Sequence, residues 1–164
     1  MIQKVMDAMI DYDAKDAKRI QHFMKVYLFA TMIAIKEGLK GKELLTLQLA
    51  AIVHDIGIHV CEEKYGCCSG SLQEKEGPAL ARNLLSKCDV EETMIERICY
   101  LVGHHHSYEN VDGKDYQILL ESDFLVNAQE DELSQKAIFT MKEKVFQTSS
   151  GKSYLQLLYG DETA

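Results

Sequence analysis

Two adjacent residues with metal-ligating side chains, His54 and Asp55, stand at the end of an apolar run that begins at Ala50 and is closed by Gly57. Successive residues on a helix differ by about 100° and rise by about 1.5 Å, so both side chains can lean toward one point between neighbouring faces. A neutral imidazole beside a carboxylate is a common pair of ligands for a divalent transition metal. The pair is therefore a candidate metal site, although a carboxylate at a helix end also serves as a plain hydrogen-bond acceptor.

Further ligand-type residues lie on both sides of this pair: His22 precedes it, while three consecutive histidines at 104–106 and then Asp123 follow. His22 and Asp123 fall within mostly apolar segments, where an unpaired aspartate or a charged histidine is costly. One cation held by His22, Asp123 and the His–Asp pair offsets that cost for all of them. Two histidines and two aspartates leave coordination positions open for water or substrate, which favours a hydrolytic transition-metal centre.

Apolar residues at helical spacing predict the elements that must position these side chains. The helix that carries His22 continues to Ile35 and ends near Gly38, because glycine is typical of helix C-termini. A buried helix over 44–55 ends at the His–Asp pair, and an apolar helix over 116–128 presents Asp123. The prediction is completed by a short helix over 2–10, a helix over 74–86, a helix that runs to the three histidines, closing helices over 133–146 and 154–159, and irregular chain over 58–70.

The composition favours an all-α fold class. The 164 residues include one proline and no tryptophan, and 46% are hydrophobic and 27% charged, as in an ordinary globular protein. We expect one compact single-domain helical bundle over residues 1–164. Its motif-bearing core covers about 15–130, and closing helices cover 131–164.

The charge and the cysteines limit the partners and the compartment. A formal net charge of −8 opposes binding to a long nucleic acid, so no extended nucleic-acid partner is expected. A small phosphorylated substrate is less affected, since bound metal ions reverse the charge locally. The five cysteines form an odd set without disulfide-framework spacing, and no signal-peptide pattern opens the chain. We expect a reduced, cytoplasmic protein with no membrane partner, and we leave a homodimer open.

The order His22, His54-Asp55 and Asp123, with His-Asp-Ile-Gly around the pair, resembles the HD-domain superfamily of metal-dependent phosphohydrolases over about residues 15–130. The resemblance implies an all-helical bundle whose motif residues bind a divalent metal. It also implies that a metal-held water attacks a phosphoester of a small, nucleotide-like substrate. His22, His54, Asp55 and Asp123 are then the ligands of a first ion, which on donor chemistry is Mn, Fe, Co, Ni or Zn.

The resemblance leaves a second ion open. In members with two ions the motif aspartate, here Asp55, bridges both, and histidines from two later helices complete the second site. The segment 102–106 resembles the later of those sites, and because three consecutive helical residues cannot all converge, we favour His105 and then His104. At the earlier site Glu76 replaces the usual histidine before a glycine. Glu76 is a candidate ligand, a candidate proton-transfer residue or simply a helix-starting acid.

Two cations, Lys25 and Arg82, are candidates for binding substrate phosphate from neighbouring helices. Asp55 and Glu76 are the candidates for proton transfer in the reaction. Two other functions remain as alternatives. One is oxygenation at two irons, which some HD-like proteins perform on a similar scaffold, and the other is a non-catalytic sensor module that retains a structural metal.

Overall fold

The computed structural model describes residues 1–160, and within that range the chain forms nine α-helices and no strand. The helices are α1 (Ile2–Tyr12), α2 (Ala17–Lys36), α3 (Gly41–Val53), α4 (Ile58–Tyr65), α5 (Gly70–Lys87), α6 (Glu92–Val102), α7 (Lys114–Glu130), α8 (Gln135–Val145) and α9 (Ser149–Tyr159). The predicted all-α fold class is confirmed. Of the predicted closing region 131–164, residues 161–164 lie outside the part of the chain that the structure describes.

Helices α3 and α7 form the centre of the bundle, because both are buried on nearly every face. Every residue of α3 from Thr46 to Val53 is buried, and α7 is buried along most of its length from Asp115 to Ala128. A helix that is apolar all round has no solvent face and must be covered by neighbours. Helix α2 packs against both of them, and α6 packs against α3 on another side. The elements that carry the candidate ligands are therefore among the most tightly held in the fold.

The predicted helix over 44–55 ends two residues early, at Val53, and residues 54–57 form a turn. His54 keeps right-handed helical dihedrals of φ −56° and ψ −39°, so the direction of the helix is preserved up to the His–Asp pair. Gly57 also has a negative φ of −75°. A Cβ at Gly57 would lie 3.1 Å from the backbone nitrogen of Gly77 and 3.2 Å from the carbonyl oxygen of Gln73. The glycine therefore permits close approach of α5 to the turn.

The prediction of irregular chain over 58–70 is wrong for most of that range, since residues 58–65 form α4. This helix is short, and Cys61 is its single buried residue, so the sequence offered too few apolar positions to show a period. It ends at Gly66, whose φ of +67° is the left-handed conformation that closes many helices. Helix α5 begins at Gly70, four residues before the predicted start. The predicted helix that runs to the three histidines is α6, and the histidines themselves lie in the turn that follows it.

Helices α8 and α9 correspond to the predicted closing helices. The link between these two helices is held by Glu121 of α7. Its buried carboxylate accepts hydrogen bonds from the backbone nitrogens of Gln147 at 2.7 Å and Thr148 at 2.9 Å.

By length and composition the stretch Gly41–Tyr65 qualifies as a membrane span, but 67% of its most apolar window is buried in the bundle, and core helices pass the same test.

Candidate metal centre

Four ligand atoms from three parts of the chain converge: Nε2 of His22 on α2, Nε2 of His54 and Oδ2 of Asp55 in the turn after α3, and Oδ1 of Asp123 on α7. Nε2 of His22 lies 3.2 Å from Nε2 of His54 and 3.2 Å from Oδ1 of Asp123. Oδ2 of Asp55 lies 3.3 Å from Nε2 of His22 and 3.4 Å from that of His54. Nε2 of His54 lies 3.4 Å from Oδ1 of Asp123. The structure thus brings together all four residues that the sequence assigned to a first ion.

The converging atoms are all acceptors when the imidazoles are neutral. Nδ1 of His54 lies 2.9 Å from the carbonyl oxygen of Ala51, and a carbonyl only accepts, so the proton of the neutral ring is on Nδ1. Nδ1 of His22 lies 2.8 Å from the carboxylate of Glu130, which assigns its proton in the same way. Both Nε2 atoms then direct lone pairs at carboxylate oxygens in a buried space, where His54 is 0% exposed. This arrangement is repulsive unless a cation or added protons lie among the four atoms.

The spacing of the four atoms fits a divalent ion. Ligands at about 2.1 Å from an ion are about 3.0 Å apart at the edge of an octahedron and about 3.4 Å apart in a tetrahedron. The five distances given above run from 3.2 to 3.4 Å, within that interval. Imidazole and carboxylate donors suit Mn, Fe, Co, Ni and Zn. His22, His54 and Asp123 also form a buried group whose ligand atoms all lie within 4.8 Å of one another.

The pKa shifts of the site residues also show that positive charge is favoured among these four atoms. Burial alone lowers the pKa of His54, but the Asp55 carboxylate and the hydrogen bond to Asp123 outweigh it and raise that pKa well above the usual 6.5. Burial raises the pKa of Asp123, but the hydrogen bonds with His22 and His54 leave it well below the usual 3.8. The carboxylates thus stay ionised and draw protons onto the rings. A bound cation supplies this positive charge in place of the protons.

Two residues of α7 that the sequence analysis did not single out hold the ligands in place. Oε2 of Glu130 lies 2.8 Å from Nδ1 of His22, and the amide of Asn127 donates to Oδ1 of Asp123 at 2.9 Å. A metal-ligating histidine commonly donates its second N–H to a carboxylate, which fixes its tautomer and orientation. The available signal was spacing, since Asn127 and Glu130 follow Asp123 by four and seven residues and share its helix face.

A second group of ligand atoms adjoins the first. Oδ1 of Asp55 lies 3.3 Å from Nε2 of His105, while Oδ2 of the same carboxylate belongs to the first group. Asp55, His105 and His106 offer ligand atoms that all lie within 4.8 Å of one another. His104 lies outside this group, because its ring stacks on Tyr100 with centroids 4.2 Å apart and its Nδ1 contacts the carbonyl of Tyr100 at 2.7 Å. The turn after α6 thus presents His106, rather than His104, beside His105.

The structure places Glu76, Lys25 and Arg82 outside the first group of candidate ligands. The Glu76 carboxylate pairs with Lys64 at 2.7 Å and accepts a hydrogen bond from the Tyr65 hydroxyl at 2.8 Å, so it faces α4. Lys25 is bound to the other oxygen of Glu130 at 2.6 Å. Arg82 forms an exposed ion pair with Glu92 on the next helix. Among residues 1–160, none of these three side chains forms a hydrogen bond or ion pair with a candidate metal ligand, and Lys25 is linked to His22 only through Glu130.

An open cavity of about 300 Å³ leads to the first group of ligands. Two of the candidate ligand residues, His22 and Asp55, line it. Its walls are formed by Asp16, Lys18, Arg19, Ile58, Glu62, Cys68, Asn127, Glu130 and Asp131. Arg19 is held at this wall by Glu62 at 2.6 Å and by the ring of His59. The two cations that line the cavity, Lys18 and Arg19, were not among the phosphate-binding candidates from the sequence.

The fold and the site define an all-helical protein with a buried histidine–aspartate centre of the metal-binding class. A family model described as the HD domain matches residues 19–140, most of the chain, and the protein therefore belongs to the HD-domain family. The crystal structure of a predicted HD superfamily hydrolase from an uncultured Thermotogales bacterium matches with a TM-score of 0.67 and 19% identity, over 96% of this chain and 84% of that one. At this identity the similarity shows the fold. A comparison with curated proteins gave no match.

Proposed function

We propose that the protein is a metal-dependent phosphohydrolase that cleaves a phosphomonoester or phosphodiester of a small, nucleotide-like substrate. The observation that carries the proposal is the set of four acceptor atoms, which are separated by 3.2 to 3.4 Å in five of their six pairs, beside an open cavity lined by His22 and Asp55. Membership of the HD-domain family supports it, as does the structural similarity to a predicted HD superfamily hydrolase from a Thermotogales bacterium.

His22, His54, Asp55 and Asp123 are the residues that would hold the ion. When bound, a divalent ion at this position supplies a Lewis acid that lowers the pKa of a coordinated water and neutralises charge on a phosphate. Asp55 is placed to take part in proton transfer, because its side chain is 20% exposed while the other three are at most 9% exposed. Glu76, the other candidate for that role, is engaged by Lys64 and Tyr65 instead.

The cavity walls supply contacts for the phosphate group. The guanidinium of Arg19 is fixed at the wall by Glu62 and is 20% exposed, so it can form charge-assisted hydrogen bonds without losing much conformational freedom. Lys18 adds a second positive charge at the same cavity. The volume of the cavity, about 300 Å³, is at the lower end of the range for ligand pockets, which favours a compact phosphate ester over an extended polymer.

Phosphate release tests this proposal. The metal-free protein is reloaded separately with Mn²⁺, Fe²⁺, Co²⁺, Ni²⁺ or Zn²⁺ and assayed with nucleoside monophosphates, cyclic nucleotides and p-nitrophenyl phosphate. We expect phosphoester cleavage with at least one ion, and its loss in Asp123→Ala. His104→Ala is the matched control, since His104 faces Tyr100 and should retain activity. Turnover that is equal in Asp123→Ala and the unsubstituted protein, or no turnover on any substrate with any ion, contradicts the proposal.

A second candidate function, oxygenation at two irons, is favoured by one observation: Asp55 directs its two carboxylate oxygens at two separate groups of ligands. Histidine and carboxylate donors suit iron. Purified protein with two irons per chain and an oxygen-dependent absorption spectrum, but no phosphate release under anaerobic conditions, would select this function over hydrolysis.

A further inference from the structure

A histidine in the first turn of α4 connects a buried carboxylate to the cavity beside the first group of ligands. The carboxylate belongs to Asp13, the residue that caps the end of α1. Among residues 1–160 this side chain has one hydrogen-bond or ion-pair partner, Nε2 of His59, at 3.0 Å. An ionised carboxylate is costly to bury unless it is paired, so this contact fixes the ring of His59 against the end of α1.

The proton positions on His59 follow from its two neighbours. A carboxylate only accepts, so Nε2 carries a proton toward Asp13, and in the neutral ring Nδ1 has the lone pair. Nη1 of Arg19 lies 2.6 Å from Nδ1 and 3.1 Å from Nε2. A guanidinium only donates, so the shorter contact is a hydrogen bond from Arg19 to Nδ1. Arg19 on α2 thus donates to His59 on α4, which in turn donates to Asp13.

The other ion-pair partners of Arg19 are carboxylates nearer the surface. Oδ2 of Asp16 lies 3.2 Å from Nη1 and Oε1 of Glu62 lies 2.6 Å from Nη2, but these two side chains are 30% and 49% exposed. Exposed ion pairs are screened by water and hold a long side chain only weakly. The side chain of Asp13 is 4% exposed, so the contact through His59 is the one that anchors Arg19 to the protein interior.

The ring of His59 also lies beside a residue that is joined to the turn after α3. Its centroid is 6.1 Å from that of Tyr12, and the hydroxyl of Tyr12 donates to the carbonyl oxygen of Ile56 at 3.2 Å. Ile56 directly follows the candidate ligand Asp55. The group that orients Arg19 is therefore fixed relative to the candidate ligands as well as to α1.

We infer that His59 and Asp13 are positioning residues, which hold the guanidinium of Arg19 in the orientation that binds the phosphate of the substrate. The inference deepens the proposed function, on whose phosphate contact it rests. Arg19 lines the cavity, whereas His59 and Asp13 do not, so both act through Arg19 and not on the substrate itself. Loss of the contact weakens substrate binding and leaves the chemical step at the ion unchanged.

Steady-state kinetics of the metal-loaded protein tests this role. His59→Phe keeps a ring but offers neither donor nor acceptor, while the amide of His59→Gln can accept from Arg19 and donate to Asp13. Because a net hydrogen bond is lost, we expect His59→Phe to raise KM about three- to tenfold with kcat within about twofold. His59→Gln should restore KM, and His104→Phe, the matched control, should change neither constant.

The same substitution in an Arg19→Ala background separates positioning from a general structural effect. Since His59 acts only through Arg19, His59→Phe should raise KM no further once the guanidinium is absent. A rise in KM of equal size with and without Arg19 overturns the inference. A fall in kcat with KM unchanged also overturns it, because His59 would then act on the chemical step.

Nitrogen NMR of isotope-labelled, metal-free protein provides a second readout that requires no turnover. A guanidinium held by fixed acceptors rotates slowly and exchanges its protons slowly with water, so Arg19 should give a sharp, protected side-chain signal, identified by its loss in Arg19→Ala. The signal should persist in His59→Gln and broaden in His59→Phe. An unchanged signal in His59→Phe overturns the inference even if phosphoesters are cleaved. Broadening without cleavage of any ester supports the positioning of Arg19 and contradicts the proposed function.

Discussion

Oε2 of Glu130 lies 2.8 Å from Nδ1 of His22, on the side of the ring opposite the candidate ion. This contact fixes the tautomer that presents Nε2 to the metal, and partners of this kind are typically worth 10- to 100-fold in metal affinity. Glu130→Gln keeps the shape of the side chain but weakens the acceptor, so we expect affinity for the first ion to fall by about tenfold. Competition with a chromophoric chelator measures the change.

The matched control for Glu130→Gln is Asp131→Asn, which removes the same charge one residue along the chain. Asp131 lines the cavity but has no hydrogen bond to a ligand histidine among the residues described, so its loss should leave the affinity nearly unchanged. Equal affinities in the two variants would mean that the contact of Glu130 with His22 does not contribute to metal binding.

Metal affinity should rise with pH. In the metal-free protein burial lowers the pKa of both His22 and His54, but their contacts with the aspartates outweigh burial, and the net pKa of each lies above 6.5. Protons therefore compete with the ion below those raised values, and the ion must displace them. Calorimetry in buffers of different ionisation enthalpy, from about pH 6 to about pH 9, should show proton release that declines as the pH rises. An affinity that is constant over this range would contradict the ligand assignment.

Arg19 should contribute to substrate binding, and Arg82 should not. A hydrogen bond to a charged group is worth about 1.5–3 kcal/mol, so Arg19→Ala should raise KM for a phosphate ester by at least about tenfold. Arg82 pairs with Glu92 on the surface, away from the cavity, and Arg82→Ala should leave KM unchanged. Steady-state kinetics on the best substrate of the panel decide between them. If Arg82→Ala raised KM and Arg19→Ala did not, the phosphate would be bound by Arg82 rather than by Arg19.

Glu121 should be required for stability. Its carboxylate is fully buried and accepts hydrogen bonds from the backbone of Gln147 and Thr148, which begin the link to α9. Glu121→Ala leaves these donors unpaired, and we expect a loss of about 2–3 kcal/mol in the free energy of unfolding, measured with urea. Glu143→Ala, an exposed change on α8, should cost less than about 0.5 kcal/mol. Similar losses of unfolding free energy in both variants would mean that Glu121 does not hold the closing helices in place.

The sequence predicted the first group of ligands well because burial and helix order constrain it. His22, His54 and Asp123 lie in or next to strongly apolar helices, so their polar side chains had to share a partner, and the structure brings them within 3.4 Å of one another. The helical fold followed from the same apolar pattern. Residues whose role depends on long-range packing were harder to find, because a contact between helices distant in the sequence produces no periodic pattern of apolar residues.

The contacts at the three histidines and at Glu76 illustrate that limit. The choice between His104 and His106 depends on how the turn leaves α6 and on the approach of Gly70, and neither is encoded in local spacing. Glu76 stands beside Gly77 in the sequence, yet its carboxylate faces Lys64 of α4, a helix that the sequence did not predict. The partner of the Glu76 carboxylate therefore lies on a helix that was absent from the prediction.

The metal content of His54→Ala, compared with that of His104→Ala, tests the central claim most directly. Both changes remove one imidazole, but His54 is fully buried with its Nε2 in the first ligand group, while His104 stacks on Tyr100. After loading with Mn²⁺ and gel filtration, elemental analysis should find the tightly bound ion in His104→Ala and not in His54→Ala. An undiminished ion in His54→Ala would contradict the account of this site.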